Sequence, residues 1–258
     1  MNLKNKIKKI IGITNIKFVK SWFLSSKDKK MIQQRHLFYS QFLPSGSLYF
    51  DIGANYGNRI EPLINEDIKI IAVEPQQECI RFLQQKYGKK ITILENGVGS
   101  KQENKLMYIA PNANILSSFS EDWIKSTQES GRFNQVEWNK TQEIKMITLD
   151  YLIATYGKPD FVKIDVEGFE LEVLKGLSQD LKVLSLEYTV PECSATLTQC
   201  LSYLEALSST PLSFNYCVTE NMIFSLPEWV SYNEINIIIK SPAFLATKFG
   251  DIYVKFNS

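Results

Sequence analysis

This chain of 258 residues contains one histidine, His36. A zinc or haem site built from several imidazoles is therefore excluded, and so is a Ser-His-Asp triad that does not use His36. Four cysteines, Cys79, Cys193, Cys200 and Cys217, form no C-x-x-C pair. Zinc is thus not expected, and scattered thiols of this kind suit a reducing, cytosolic setting. No apolar run approaches the length that spans a bilayer. Ile10-Ile-Gly-Ile13 is too short for a secretory signal and no small-residue cleavage site follows it, so a soluble, cytoplasmic protein is expected. An excess of positive charge is missing too: 29 Lys and Arg face 28 Asp and Glu, which argues against a nucleic-acid partner for the chain as a whole. What remains is an ordinary globular composition, 44% hydrophobic and 22% charged, long enough for one large α/β domain with appendages.

The charge is unevenly spread. Residues 1–30 carry Lys4, Lys6, Lys8, Lys9, Lys17, Lys20, Lys27, Lys29 and Lys30 against one acid, Asp28. Leu3, Ile7, Ile10 and Ile11 fall at helical spacing among them. Residues 1–43 are read as a basic, helical N-terminal extension. It either lies on an anionic membrane surface, making weak peripheral contact with the inner face, or packs as a solvated helix on the domain edge.

The rest of the chain is organised around Leu48-Tyr-Phe-Asp-Ile-Gly-Ala-Asn-Tyr-Gly57. An apolar strand breaks into a turn with Gly53 and Gly57, and a helix is expected to start at Asn58. Strand, glycine turn and helix build a nucleotide-cofactor pocket, in which glycine lets the backbone approach a ligand. Asp51 stands at the carboxyl end of the strand, where open α/β sheets bind ligands. A second strand, 68–73, ends in Glu74-Pro75, about 20 residues past the turn, where a carboxylate meets ribose hydroxyls. The spacing is not G-x-G-x-x-G, so the turn lacks the glycine cluster that admits a pyrophosphate. A nucleoside without phosphates is implied, which means S-adenosylmethionine; a nicotinamide cofactor fits Glu74 but not the glycines.

Further along, a helix is expected over 77–87, a strand over 91–94, and a segment 95–100 whose backbone, with Asn96 and Val98, lines the adenine. A short strand follows at 105–109. Residues 111–146 interrupt the alternation. They are polar yet hold Phe119, Trp123, Phe133 and Trp138, and are read as an inserted lid, with a helix near 120–129, whose aromatics either stack on sugar rings or anchor the excursion. Helices are expected over 148–156, 169–176 and 195–207, and strands over 160–168, 181–188, 213–218 and 250–256. Residues 235–240 are assigned to a helix. Strands alternating with helices imply a doubly wound sheet.

Lys163-Ile-Asp-Val-Glu-Gly168 carries the chemistry. On an extended strand Lys163, Asp165 and Glu167 share one face, at the end that faces Asp51 and Glu74. Glu187 ends the next strand. Methyl transfer to a hydroxyl requires removal of the acceptor proton, which a carboxylate performs directly or by holding a divalent cation. The alternative is a structural Lys–Asp pair with Glu167 at a helix start. No residue is assigned as a dedicated metal ligand.

Phe50-Asp-Ile-Gly-Ala-Asn-Tyr-Gly57, Ala72-Val-Glu-Pro75, Thr148-Leu-Asp150, Val162-Lys-Ile-Asp-Val-Glu-Gly-Phe-Glu170 and Val173-Leu-Lys-Gly176 together resemble the FkbM family of S-adenosylmethionine-dependent methyltransferases. The segments Ser117-Ser-Phe-Ser-Glu-Asp-Trp123 and Gly131-Arg-Phe133 resemble a lid found in part of that family. The resemblance implies an α/β, Rossmann-like seven-stranded methyltransferase sheet over residues 44–258, with the last strand antiparallel and helices on both faces. It implies O-methylation of a hydroxyl on a sugar, glycolipid or polyketide, so the expected partner is a small-molecule or glycan acceptor. Asp51, Gly53, Asn55 and Gly57 would hold the methionine part, Glu74 the ribose, with Pro75 beside it. Asp165 would face the reacting methyl, and Asp165, Glu167 and Glu187 are the candidate bases. The competing reading is a non-catalytic module that keeps the cofactor fold and binds a partner or membrane surface.

Overall fold

A computed structural model describes residues 25–257. Most of the basic segment, residues 1–24, lies outside the described residues. The described chain opens with α1 (Ser26–Tyr39). Ser25 caps it: its hydroxyl accepts the Asp28 N–H while the Asp28 carboxylate accepts the Ser25 N–H. Phe38 and Tyr39 are buried with Tyr49, Phe161 and Tyr253, so α1 belongs to the core. Leu37, on the other side, is exposed.

The glycine turn follows β1 (Ser47–Ile52). The helix expected at Asn58 is instead a single 3-10 turn, Glu61–Leu63. Pro62 supplies no N–H there, and β2 (Ile68–Val73) begins within a few residues. Helix α2 (Gln77–Tyr87) stops at Gly88, whose φ is +56°. Then come β3 (Thr92–Leu94), β4 (Gly97–Val98), β5 (Asn104–Ile109) and α3 (Glu121–Glu129). Residues 140–147 were not expected as a strand, yet they form β6 (Lys140–Ile147), antiparallel to β5 and parallel to β4. Its first four residues are all polar and leave no apolar alternation to read. The irregular part of the insertion therefore ends before Lys140.

After β6 the alternation returns: α4 (Leu149–Tyr156), β7 (Phe161–Ile164), α5 (Glu170–Leu174), β8 (Val183–Thr189), α6 (Ser194–Leu207) and β9 (Leu212–Val218). The chain closes with α7 (Tyr232–Ile238), α8 (Pro242–Leu245) and β10 (Phe249–Phe256). The main sheet has seven strands in the order β3-β2-β1-β7-β8-β10-β9. Only β10 runs antiparallel, inserted between β8 and β9, as the resemblance implies. Phe50, Ile52, Ile164 and Leu186 join the core on one face, and Tyr49, Phe161 and Tyr253 join that on the other.

Two consequences position the site. Strand order reverses between β1 and β7, so a crevice opens at their carboxyl ends. The period of two places Asp51 on the face of Tyr49 and Lys163 on the face of Phe161, and Asp51 sits directly opposite Lys163 in the pairing. No helix among the described residues is long and apolar enough to cross a membrane.

Candidate active site

At that crevice lies a cavity of about 790 Å³, and Asp51, Gly53, Asn55, Glu74 and Pro75 line one side of it. Gly53 has φ +82°, and a Cβ there would stand 1.8 Å from the Asp165 carbonyl oxygen. Only glycine lets the loop after β7 come this close to β1. The N–H groups of Gly53 and Ala54 donate to the Val73 carbonyl at 2.9 and 3.1 Å, which fixes the turn to the end of β2. Glu74 completes it. Its Oε2 accepts the Asn55 N–H at 2.9 Å and its Oε1 the Gln76 N–H at 2.8 Å. Each oxygen retains acceptor capacity, and burial pushes this carboxyl up to about 7.

Gly57 departs from the expectation. It does not line the cavity. A Cβ there would meet Tyr87 at 2.7 Å and Leu83 at 2.9 Å, and the Tyr87 hydroxyl donates to its carbonyl at 3.0 Å. Its small size serves packing of the turn against α2. Asn96 and Val98 do line the cavity, with Met107 and Phe119. The Asn96 amide donates to the Lys145 carbonyl at 3.0 Å.

The opposite side carries the carboxyl cluster, built differently from the sequence reading. β7 ends at Ile164, so the alternation of an extended strand does not reach Asp165 and Glu167. Glu167 and Gly168 adopt φ +52° and +86°. The loop is bent by Glu170, whose Oε1 accepts the N–H groups of Val166 at 3.3 Å and Gly168 at 3.1 Å. Ser118 donates to the Glu167 carbonyl at 2.6 Å, and the Trp123 ring fills the space beside Gly168. Even so, carboxylate oxygens of Asp165, Glu167 and Glu187 lie within 4.8 Å of one another. Lys163, buried, pairs with Asp165. Burial acts to raise Asp165, but the Lys163 ammonium overcomes it and holds the carboxyl below its usual range. Burial, and then the Asp165 charge, push Glu167 and Glu187 well above theirs. The cluster thus pairs one held anion with two carboxyls that keep their protons more readily.

Asp51 is buried with neither carboxylate oxygen partnered, and burial pushes it up to about 6 against the pull of Lys163. A buried acid without a partner is costly unless something meets it.

The insertion supplies the outer wall. Trp123 and Trp138 anchor it: Trp123 packs 5.8 Å from Phe133 and 6.2 Å from Trp138, and Trp138 Nε1 donates to the Leu116 carbonyl at 2.7 Å. Phe119 and Phe133 face the cavity. Sequence reasoning missed Arg59, Glu192, Lys248 and Phe249, which also line it. Arg59 had a signal, since it directly follows the glycine turn. The other three reach the cavity only through the fold of the last 70 residues.

Residues 51–208 match the sequence profile of the methyltransferase FkbM domain, and the chain belongs to that family. It is accordingly a methyltransferase, and S-adenosylmethionine is its methyl donor. No curated protein matches the chain. Similar solved structures include a precorrin-6y C5,15-methyltransferase from Geobacter metallireducens, at 15% identity, 87% of each chain covered and a TM-score of 0.43. A TehB-like SAM-dependent methyltransferase from Corynebacterium glutamicum has 8% identity, with 87% of this chain and 88% of that one covered and a TM-score of 0.45. The plantazolicin methyltransferase BpumL, in complex with SAH, has 11% identity, 99% of each chain covered and a TM-score of 0.42.

Proposed function

We propose that this chain O-methylates a hydroxyl of a sugar or glycan-type acceptor. The observation that carries the reading is the convergence of Asp165, Glu167 and Glu187 beside the Gly53 turn. When bound, S-adenosylmethionine supplies an electrophilic methyl group on a positively charged sulfur. The residues present suit that donor. The unpartnered Asp51 oxygens meet its ammonium group, Glu74 accepts the ribose hydroxyls, and Val98 and Phe119 flank the base. An acceptor hydroxyl loses its proton as its oxygen is methylated. Glu187 and Glu167 are the groups to take that proton, because burial and the Asp165 charge raise both above the usual carboxylate range and make each, once ionised, a stronger base. Asp165, ionised beside Lys163, keeps the cluster polarised. Positioning supplies most of the acceleration and the base about 10²–10⁴-fold. Phe133, Phe249, Thr189 and Glu192 give the outer cavity the mixture of aromatic faces and polar atoms that a polyol needs.

The test is transfer of labelled methyl from S-adenosylmethionine to a panel of soluble oligosaccharides, followed by mild alkali. A methyl ether survives alkali and supports the reading; an alkali-labile methyl ester overturns it. Glu187→Gln is expected to lower turnover about 100-fold while leaving S-adenosylhomocysteine binding within twofold.

A further inference from the structure

The zwitterionic end of the donor carries a carboxylate as well as an ammonium group, and four cations line the cavity: Arg59, Arg132, Lys163 and Lys248. Three are poorly placed to receive it. Lys163 is spent on Asp165. Arg132 gives both terminal nitrogens to the carbonyls of Val190 and Lys248, and its Nε to Glu192. Lys248 is exposed and belongs to the same rim as Arg132, far along the chain from the glycine turn.

Arg59 differs. It is buried, and it stands two residues after Gly57, on the segment that carries Asp51 and Gly53. Its charge is matched, but its hydrogen bonds are long. Nη2 reaches Asp251 at 3.4 Å and Glu220 at 3.5 Å, both long for a guanidinium–carboxylate contact. Glu220 gives its short contact, 2.6 Å, to Arg35 instead. Nη1 has only the Met222 thioether at 3.8 Å, a weak acceptor. A guanidinium offers five donors in a planar fork suited to a carboxylate.

We infer that Arg59 receives the α-carboxylate of the methionyl group, as the counterpart of the unpartnered Asp51 that receives the α-ammonium. The two residues, one near the end of β1 and the other just after the turn, form one amino-acid subsite of opposite charges on the cavity wall. The inference rests on S-adenosylmethionine as donor and deepens that reading. It also accounts for the loose contacts to Asp251 and Glu220, which hold the guanidinium charge in place without saturating it.

The discriminating pair of probes is S-adenosylhomocysteine and 5′-methylthioadenosine, which lacks both charged groups of the amino acid. Calorimetric titration of the purified chain is expected to show S-adenosylhomocysteine binding at least tenfold tighter. Arg59→Gln is expected to weaken S-adenosylhomocysteine roughly 10- to 100-fold, the worth of a charge-assisted pair, and to leave 5′-methylthioadenosine within twofold. The unchanged second ligand shows that the pocket is folded. Arg59→Lys keeps the buried charge beside Asp251 and covers the case in which Arg59→Gln does not fold; it is expected to weaken S-adenosylhomocysteine several-fold, again without effect on the other probe. Equal losses for both ligands, or no loss for either, in whichever variant folds, overturn the inference. Binding of neither probe to the unmutated chain overturns the donor assignment instead.

Discussion

The two walls of the cavity are held by different means. The wall of β1 and β2 is local. The turn after Asp51 is fixed by its own backbone N–H groups on Val73 and Glu74, all within about 20 residues of one another. The outer wall is assembled from distant pieces: residues 130–133 of the insertion, the chain after β8, and the start of β10. One side chain, Arg132, ties them, donating to the Val190 carbonyl at 2.8 Å and the Lys248 carbonyl at 3.2 Å and pairing with Glu192 at 3.0 Å. On the proposed function, the donor meets the wall that the local chain dictates and the acceptor the wall that long-range contacts dictate.

The sharpest break of the inner wall is Gly53→Ala. The new Cβ would stand 1.8 Å from a backbone oxygen of the loop bearing Asp165, at a φ that alanine avoids. Backbone cannot yield as a side chain can, so a loss of about 3–5 kcal/mol is expected, together with loss of S-adenosylhomocysteine binding. Thermal unfolding and calorimetry measure both; an unchanged melting temperature would contradict the close packing of the turn on Asp165.

Arg132→Ala is the corresponding break of the outer wall. It removes the side-chain donor to the Val190 carbonyl and one of the donors to the Lys248 carbonyl and to Glu192, which keep the Val190 N–H and the Ser130 hydroxyl, and a loss of about 1–2 kcal/mol is expected. The comparison predicts that S-adenosylhomocysteine affinity stays within twofold while hydrogen exchange accelerates in residues 246–250. Weakened donor binding would show that the two walls are one unit.

Asp51→Asn acts with the opposite sign on stability. The folded pKa of Asp51 is raised, from 3.8 to about 6, so between pH 4 and 6 the folded state binds more protons than the unfolded one. Its penalty therefore grows as pH rises through that window and is complete above pH 6. Neither oxygen has a well-formed hydrogen bond to lose, and the Lys163 ammonium and Tyr49 hydroxyl offset its burial only in part. The ligand-free variant is expected to be more stable than the parent at pH 7.5 by about 2 kcal/mol, with a flatter profile between pH 4 and 6, and to bind S-adenosylhomocysteine more weakly. Chemical denaturation across that range checks it.

The same division explains what the sequence made legible. Asp51 lies on β1, and Gly53 and Glu74 directly follow β1 and β2, strands whose apolar runs declare themselves within one stretch of chain; β10 followed from the family likeness. Gly57 lies outside the cavity lining and packs against Tyr87, and a glycine that packs and one that approaches a ligand look alike in one dimension. Asp165 and Glu167 were matched to Glu187, but by a strand face that ends at Ile164; the bend depends on Glu170 and Trp123, partners no periodicity reveals. β6 hid behind polar residues on its exposed half, and Glu192 had no signal, because its place depends on Arg132 some 60 residues away.

Gly131→Ala is the smallest expected effect and isolates conformation from contact. Gly131 has φ +79° with nothing within 4 Å of a Cβ, so alanine pays only for its backbone, about 1 kcal/mol. Set beside Gly53, which shares that φ but faces a carbonyl oxygen, it separates the two reasons for glycine at this site. If Gly131→Ala leaves the melting temperature unaltered but slows acceptor turnover, the conformation at residue 131 is needed to present Arg132 and Phe133, and the outer wall is tuned rather than merely stable. If stability falls by the backbone cost and turnover follows it in proportion, the residue serves the fold alone and specificity resides in the side chains that flank it.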